Sequence, residues 1–199
     1  PADIWTIDGS LNTLSDRPGM DSQKTNSYGL KVFHSFDGFE LQSYTSSTDT
    51  NVIFSYDADW GNTDSHFPYV YDYFSETLRD RKSFNQEFRA VSDSADFQKN
   101  SFFEWVIGAN YLELKESNLK KDDGLYGDPS DPYGPYASAS SSSSKYKSSN
   151  FSVFGNLDYL LSASLKFSIG LRWEDWEADY SDSLQESFNP TDKMSGGKI

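Results

Sequence analysis

The sequence predicts an all-β fold of antiparallel, up-and-down strands, and three observations support that prediction. Apolar and polar residues alternate with a period of two along much of the chain, whereas the 3.6-residue period of amphipathic helices is nearly absent. Aromatic residues make up 17% of the 199 residues although the mean hydropathy is −0.70. A sheet that is polar on one face and aromatic on the other has this composition. Short and long connections also alternate between the predicted strands.

Composition and charge exclude several function classes. The chain has 17 basic and 31 acidic residues, so its formal net charge is −14. That charge argues against nucleic acid as a partner, because neutralising phosphates requires a basic face. Cysteine is absent, which excludes disulfides, cysteine–zinc sites and cysteine nucleophiles. The sequence contains no nucleophile–base set, P-loop or glycine-rich dinucleotide motif, so we predict no enzyme activity, no cofactor and no metal site.

Residues 165–173 form the clearest predicted strand. Their odd positions are Leu, Phe, Ile, Leu and Trp, whereas their even positions are Lys, Ser, Gly and Arg. Residues 151–159 repeat this design, and Phe154 is the exception on the polar side. Only residues 160–164 separate the two segments, which predicts a hairpin whose apolar faces coincide.

Strands with the same alternation are predicted earlier in the chain, at residues 103–111 and 28–36. The dipeptide Asp37-Gly38 follows the second of these and is typical of a two-residue hairpin turn. Such a turn places Phe36 opposite Phe39, so the apolar faces agree across the hairpin. The remaining strand segments, whose apolar face the pattern does not identify, are residues 52–56 and 73–92.

The lengths of the connections favour a barrel over a sandwich. Short and long connections alternate in the order 37–38, 57–70, 93–100, 116–149, 160–164 and 181–193. Outer-membrane barrels combine short periplasmic turns with longer extracellular loops in this way. The chain has no run of 18 apolar residues, which excludes helical spans but not membrane strands. We therefore predict a transmembrane β-barrel segment of about six to seven strands.

The longest predicted connection has the composition of an exposed loop. Asp122-Asp123-Gly124 and three later Pro dipeptides are typical of turns. Residues 138–144 are nearly all serine, which predicts a mobile stretch. Closely spaced aspartates here suit a hard cation such as calcium, but they lack EF-hand spacing, and a solvated loop is the simpler interpretation.

Four segments resemble the barrel of TonB-dependent receptors. Residues 83–92 (SFNQEFRAVS) resemble that family's Gln-Glu-hydrophobic-Arg strand, and residues 103–111 (FEWVIGANY) are similar to its next strand. Residues 151–159 (FSVFGNLDY) and 165–173 (LKFSIGLRW) resemble a following strand pair that ends in Gly-Leu-Arg-aromatic. The segments occur in the family's order, and the resemblance covers roughly residues 25–199.

This resemblance implies a role in transport. It implies a 22-stranded barrel with a plugged lumen in the outer membrane of a Gram-negative bacterium. The implied activity is energised uptake of a scarce ligand too large for porins, most often an iron–siderophore complex. The implied partners are the bilayer, the receptor's own plug domain and TonB. Because neither a plug nor a carboxy-terminal aromatic strand is recognisable, we expect residues 1–199 to be an internal part of one barrel domain.

Two groups of candidate site residues follow from these predictions. Charged residues on the polar side of the strands are expected to face the lumen, where cross-strand salt bridging is favoured over a substrate path. These are Glu87, Arg89, Glu104, Asp158, Lys166 and Arg172. Aromatic residues in the long connections could contact an incoming ligand, namely Trp60, Tyr126, Tyr133 and Tyr136. Interfacial aromatic girdles could include Trp105, Tyr111, Tyr159 and Trp173.

Two alternatives stay open at the level of sequence. One is a small, complete outer-membrane barrel with a structural or adhesive role, which would need an even number of strands and an aromatic carboxy-terminus. The other is a secreted all-β carbohydrate-binding module. That module would bury Leu171 and Ile169, whereas a membrane strand would expose them.

Overall fold

A computed structural model of the chain describes residues 15–62, 64–93, 103–162 and 165–183. These residues form one six-stranded sheet in which every strand pairs antiparallel with its neighbour in the sequence. The strands are β1 (Met20–Phe36), β2 (Phe39–Asp57), β3 (Val70–Ser92), β4 (Phe103–Gly127), β5 (Tyr136–Ser162) and β6 (Leu165–Asp182). The all-β, up-and-down prediction is confirmed. Among the described residues, β1 and β6 are the edges, so the sheet is open.

The tight turn between β1 and β2 lies where the sequence predicts it. Gly38 has a φ of 84°, a left-handed conformation that glycine adopts without a Cβ clash. Phe36 pairs with Phe39, and their rings stack with centroids 4.8 Å apart. The backbone NH of Asp93 donates a hydrogen bond of 3.0 Å to the Gly38 carbonyl, which ties this turn to the end of β3. We call this end of the sheet the turn end and the other the loop end.

The connections at the loop end agree only partly with the prediction. The predicted gap after β2 is present, since β3 begins at Val70. The predicted loop of residues 116–149 is wrong in its extent, because β4 and β5 leave only residues 128–135 between them. The predicted mobile serine stretch is likewise wrong, since Ser138 pairs with Gly124 and Ser144 with Asn118 in a continuous ladder. The other predicted connections (93–100, 160–164 and 181–193) lie partly outside the described residues, and the start of a seventh strand lies wholly outside them.

The strands are much longer than a membrane crossing requires. β4 has 25 residues and β5 has 27, whereas a membrane β-strand needs about 9–11. The predicted turn-end segments of residues 103–111 and 151–159 therefore account for about a third of each strand. The remainder continues, fully paired, towards the loop end.

The described part of the chain has no buried hydrophobic side chain. Apart from Gly61 and Gly127, its buried residues are polar: Ser55, Asp57, Ser75, Ser92, Ser148 and Ser152. In a soluble sheet protein, one face packs against a second layer and buries its apolar row. Here the apolar rows remain exposed, so the described sheet presents them to its surroundings.

Candidate functional site

Cross-strand register places the apolar rows of the four clearly alternating predicted strands on the same side of the sheet. Starting from Leu41 on β2, the pairing partners are Ala90 on β3 and Ile107 on β4. The pairing then continues to Gly155 on β5 and Leu171 on β6. We call this side the band face, and the nine-residue apolar segments on it the apolar band. The segments on four strands are residues 28–36, 103–111, 151–159 and 165–173.

The apolar band has aromatic edges and a largely aliphatic middle. At its loop-end edge Tyr111 pairs with Phe151, whose ring lies 6.3 Å from that of Trp173. At its turn-end edge the Phe103 and Tyr159 rings lie 4.9 Å apart. Between the edges lie mainly aliphatic residues: Leu30, Val32, Leu41, Ile107, Ala109, Val153, Leu157, Ile169 and Leu171. Leu171 is 76% exposed and Ile169 is 47% exposed.

A polar patch on β2 and β3 interrupts the apolar band, and its groups bond to one another. Thr45 Oγ1 donates a hydrogen bond of 2.6 Å to Gln86 Oε1. Gln86 Nε2 in turn donates one of 3.1 Å to Ser43 Oγ. Because the patch satisfies its own hydrogen bonds, it does not depend on water at that face.

All six charged candidates lie on the opposite face, where the register brings three of them together. Lys166 Nζ lies 2.7 Å from Asp158 Oδ2 and 3.6 Å from Glu104 Oε2, and so joins β4, β5 and β6. The remaining three form local pairs. Arg89 lies 3.6 Å from Glu87, whereas Arg172 pairs with Glu174.

Arg89 also connects strands through its guanidinium. It donates a hydrogen bond of 2.7 Å from Nε to Gln42 Oε1, and its Cζ lies 4.5 Å from the centre of the Tyr44 ring. These contacts link β3 to β2 on the opposite face. Each of the six charged candidates therefore already has a partner within the sheet.

The loop end of the opposite face carries a cluster of tyrosines. Tyr126 pairs with Tyr71 on one side and with Tyr136 on the other, so three phenol rings form one row across β3, β4 and β5. Each of the three residues is between 42% and 49% exposed. Tyr73 pairs with Gly124, and a Cβ at that glycine would overlap the Tyr73 ring. The missing side chain at Gly124 therefore lets the ring lie on the strand.

Trp60 belongs to the β2–β3 connection and lies on the same side of the sheet as the tyrosine cluster. Its ring lies 6.1 Å from that of Tyr56, and the residue is 77% exposed. Trp60 has a φ of 60°, which is strained for a residue with a Cβ. Asp59 holds this bend, because its carboxylate accepts the backbone NH groups of Gly61 at 2.8 Å and Tyr73 at 2.6 Å.

Tyr133 lies at the tip of the β4–β5 loop and is 85% exposed. The backbone NH of Tyr133 donates to Asp131 Oδ1 at 2.9 Å, while the Tyr136 hydroxyl donates to Asp131 Oδ2 at 2.8 Å. This hydrogen bond to Asp131 raises the pKa of the Tyr136 phenol. A single aspartate thus fixes two of the predicted aromatic residues, and the Tyr136 phenol remains a neutral, hydrogen-bonding group at neutral pH.

Comparison with known protein families identifies the barrel. The family model described as "TonB dependent receptor-like, beta-barrel" matches residues 3–198. The chain belongs to this family. A comparison with curated proteins finds no match to it.

Membership of the TonB-dependent receptor family supports outer-membrane transport in general. The predicted resemblance is thereby confirmed. No helix in the described ranges is long and apolar enough to span a membrane. Nor do three or more His, Cys, Asp or Glu side chains converge as metal ligands within the part of the chain that the structure describes.

Sequence reasoning missed part of the aromatic cluster of this receptor segment. The sequence analysis places Tyr56 and Tyr73 only in predicted strands and assigns Tyr71 to no element, yet these residues lie beside the predicted Trp60 and Tyr126. The signal is present in the sequence, because Tyr69, Tyr71 and Tyr73 alternate with a period of two at the end of a predicted long connection. Only the register between the strands shows that the tyrosine cluster and the apolar band lie on opposite faces of the sheet.

Proposed function

We propose that this chain forms part of the barrel wall of an outer-membrane transporter in a Gram-negative bacterium. The apolar band faces lipid, the opposite face lines the lumen, and the loop end is extracellular. The observation that supports this orientation most is the aliphatic band between two aromatic edges on an exposed face, which matches the outer surface of membrane barrels. Its length of nine residues per strand suits a bilayer crossing.

We further propose that these residues are an internal stretch of a longer barrel. β1 and β6 each pair on one side only within the described residues, and open edges are unfavourable in lipid. The receptor's own plug domain and TonB are then partners outside this chain. The test is the intact mass of the native polypeptide extracted from the outer-membrane fraction. A mass several-fold above 22.5 kDa supports the proposal, and a mass near 22.5 kDa contradicts it.

The aromatic cluster is the proposed ligand contact of the transporter. Trp60, Tyr126, Tyr133 and Tyr136 are exposed at the loop end, and three of them lie beside further aromatic rings on the lumen side. Exposed phenol and indole rings provide rigid apolar surface together with a hydrogen-bonding group. We infer a compact ligand with a mixed apolar and polar surface, and an iron–siderophore complex has this character.

The ligand proposal is tested on the intact receptor with a panel of ferric hydroxamate and ferric catecholate siderophores. Replacing all four residues by Ala should weaken binding by about tenfold or more if they act as interface hot spots. A matched pair of double variants localises the effect. Tyr126→Ala/Tyr136→Ala should weaken binding, whereas Tyr28→Ala/Tyr111→Ala, on the band face, should not. Unchanged affinity in the fourfold variant contradicts the ligand contact but leaves the barrel assignment intact.

The carbohydrate-binding alternative receives less support from the structure. A secreted module needs Leu171 and Ile169 in a core, yet both are exposed. Large exposed apolar areas of this kind are rare on soluble monomers.

A further inference from the structure

His66, in the β2–β3 connection, has a buried ring nitrogen that bonds to nothing. The residue as a whole is half-buried, but its Nε2 atom is buried and has no hydrogen-bond partner among the described residues. Each ring nitrogen of an imidazole is a donor or an acceptor, so a buried nitrogen without a partner lowers stability. The position of this atom therefore calls for an explanation.

The His66 imidazole contacts both the Trp60 bend and the tyrosine cluster. It packs against Gly61, which directly follows Trp60, since a Cβ at that glycine would lie only 2.8 Å from Nε2. Its ring centre also lies 5.2 Å from that of Tyr71, at an interplanar angle of 63°. One side chain thus joins the bend that presents Trp60 to a phenol of the tyrosine cluster.

Backbone hydrogen bonds hold the turn that carries His66. The side-chain oxygen of Asn62 accepts the backbone NH groups of Asp64 and Ser65, each at 3.0 Å. The His66 carbonyl accepts the backbone NH of Tyr69 at 2.8 Å. These bonds involve neither Trp60 nor its ring. The turn therefore presents the imidazole to the bend independently of the indole.

One carboxylate and one phenol lie beside His66, and a second carboxylate lies in the same turn. Asp59 Oδ1 would lie 3.2 Å from the same Gly61 Cβ that Nε2 approaches. The phenol is that of Tyr71 on β3, and the carboxylate within the turn is that of Asp64. Nε2 and the Asp59 carboxylate thus approach one glycine from different residues without bonding to each other.

This arrangement suits a neutral imidazole and not a protonated one. A neutral ring can carry its proton on Nδ1, which leaves Nε2 as an uncharged acceptor. An imidazolium carries a proton on both nitrogens, and a buried charged donor without an acceptor is far more costly. To find an acceptor, Nε2 must leave its buried position or move towards Asp59, across the glycine that follows Trp60. Either movement disturbs the bend.

We propose that the neutral His66 imidazole is a positioning residue that fixes the Trp60 bend against the tyrosine cluster and releases it on protonation. This inference rests on the proposed ligand contact of Trp60. The φ of 60° at Trp60 is strained, and such a conformation persists only where its surroundings hold it. A ligand that binds the ordered aromatic surface is therefore bound tightly at neutral pH and more weakly in acid, because acid lowers the population of that surface.

The first test observes the Trp60 ring by fluorine NMR, in the intact receptor labelled with fluorotryptophan and purified in detergent. The Trp60 resonance is the one missing from Trp60→Phe. Between about pH 8 and about pH 5, where histidine side chains ordinarily titrate, this resonance should shift in the wild type. It should stay in place in His66→Phe, which keeps a ring against Gly61 but cannot be protonated. The matched control is His34→Phe, the same change on the band face, which should behave like the wild type.

The second test measures the affinity of these variants for the panel of ferric hydroxamate and ferric catecholate siderophores. At about pH 8, His66→Phe should bind like the wild type, whereas His66→Ala should bind about tenfold more weakly, because only alanine removes the ring that supports Trp60. At about pH 5, the wild type should bind about tenfold more weakly than His66→Phe. Comparing two proteins at the same pH cancels any protonation of the siderophore itself.

The outcomes separate this proposal from the ligand contact on which it rests. A Trp60 resonance that does not shift in the wild type, or that shifts equally in His66→Phe, overturns the positioning role. An equal pH dependence of affinity in these two proteins overturns it as well. If Trp60→Ala weakens binding while both His66 variants match the wild type at each pH, the positioning role alone is overturned. If Trp60→Ala leaves the affinity unchanged, the ligand contact of Trp60 is overturned with it.

Discussion

The same six strands behave differently in their two halves. Near the turn end, the band face is apolar and the opposite face polar, so the two sides of each strand have different surroundings. Towards the loop end, both faces carry charged and small polar residues, as in the pairing of Lys115 with Lys147 and of Lys120 with Ser142, and the opposite face adds the tyrosine cluster. Backbone pairing continues through both halves without interruption.

This contrast shows what the sequence pattern records. Period-two alternation reports a difference between the environments of two faces, not the presence of a strand. On the face that we propose contacts lipid, the alternation is strong, as in residues 165–173. A strand with the same solvent on both sides has no such signature, and residues 138–144 resemble a loop in composition.

The largest expected effect comes from introducing an arginine on the band face, and it should differ between the two halves. Ile169→Arg places a charge at the middle of the apolar band and should destabilise the folded receptor by about 2–4 kcal/mol. Ala139→Arg introduces the same side chain at an exposed position of the same face in the loop-end half, opposite Asp123, and should change stability by about 0.5 kcal/mol or less, as for exposed surface sites. Urea unfolding of the receptor in liposomes measures both. Equal costs for the two variants would contradict the division into lipid-facing and water-facing halves.

A second comparison uses two glycines. Gly124→Ala places a methyl group into the Tyr73 ring and should cost about 1–3 kcal/mol, as overpacking does. Gly155→Ala in the apolar band brings its Cβ to 3.5 Å from the Val106 carbonyl oxygen, an ordinary contact, and should be nearly neutral. Thermal unfolding of both variants measures the two stability costs. If Gly124→Ala is the milder change, the Tyr73 ring does not lie on that strand.

Most of the fold in the turn-end half could be predicted from the sequence. The Asp37-Gly38 turn, the apolar rows and the common polar face of Lys166 and Asp158 all follow from local periodicity. The register between strands that are distant in sequence could not be predicted, because it is set by pairing along the whole ladder. The aromatic row of Tyr71, Tyr126 and Tyr136 depends on that register, and so was not predicted as a group.

The smallest expected effect concerns an ion pair in the loop-end half. Partial burial acts to raise the pKa of Glu116, but hydrogen bonds from Asn118 at 3.0 Å and Arg81 at 2.7 Å outweigh it and lower the pKa below the ordinary 4.5. A lowered pKa contributes stability that is complete above pH 4.5 and is lost as the pH falls through the lowered value. Hydrogen-exchange protection factors around β3 and β4, which are corrected for the pH dependence of the intrinsic exchange rate, should therefore fall on acidification. Glu116→Gln should lose this part of the acid dependence, and an unchanged pH profile would contradict the role of Glu116.

The lipid-facing assignment of the band face is the central claim, and site-directed spin labelling tests it most directly. The printed sequence has no cysteine, so single cysteines can be introduced one at a time at residues 165–173. We predict that nitroxides at the odd positions, from Leu165 to Trp173, are highly accessible to oxygen dissolved in the bilayer, whereas those at the even positions are not. An oxygen accessibility without this alternation, or odd positions accessible mainly to a water-soluble nickel complex, would contradict the account.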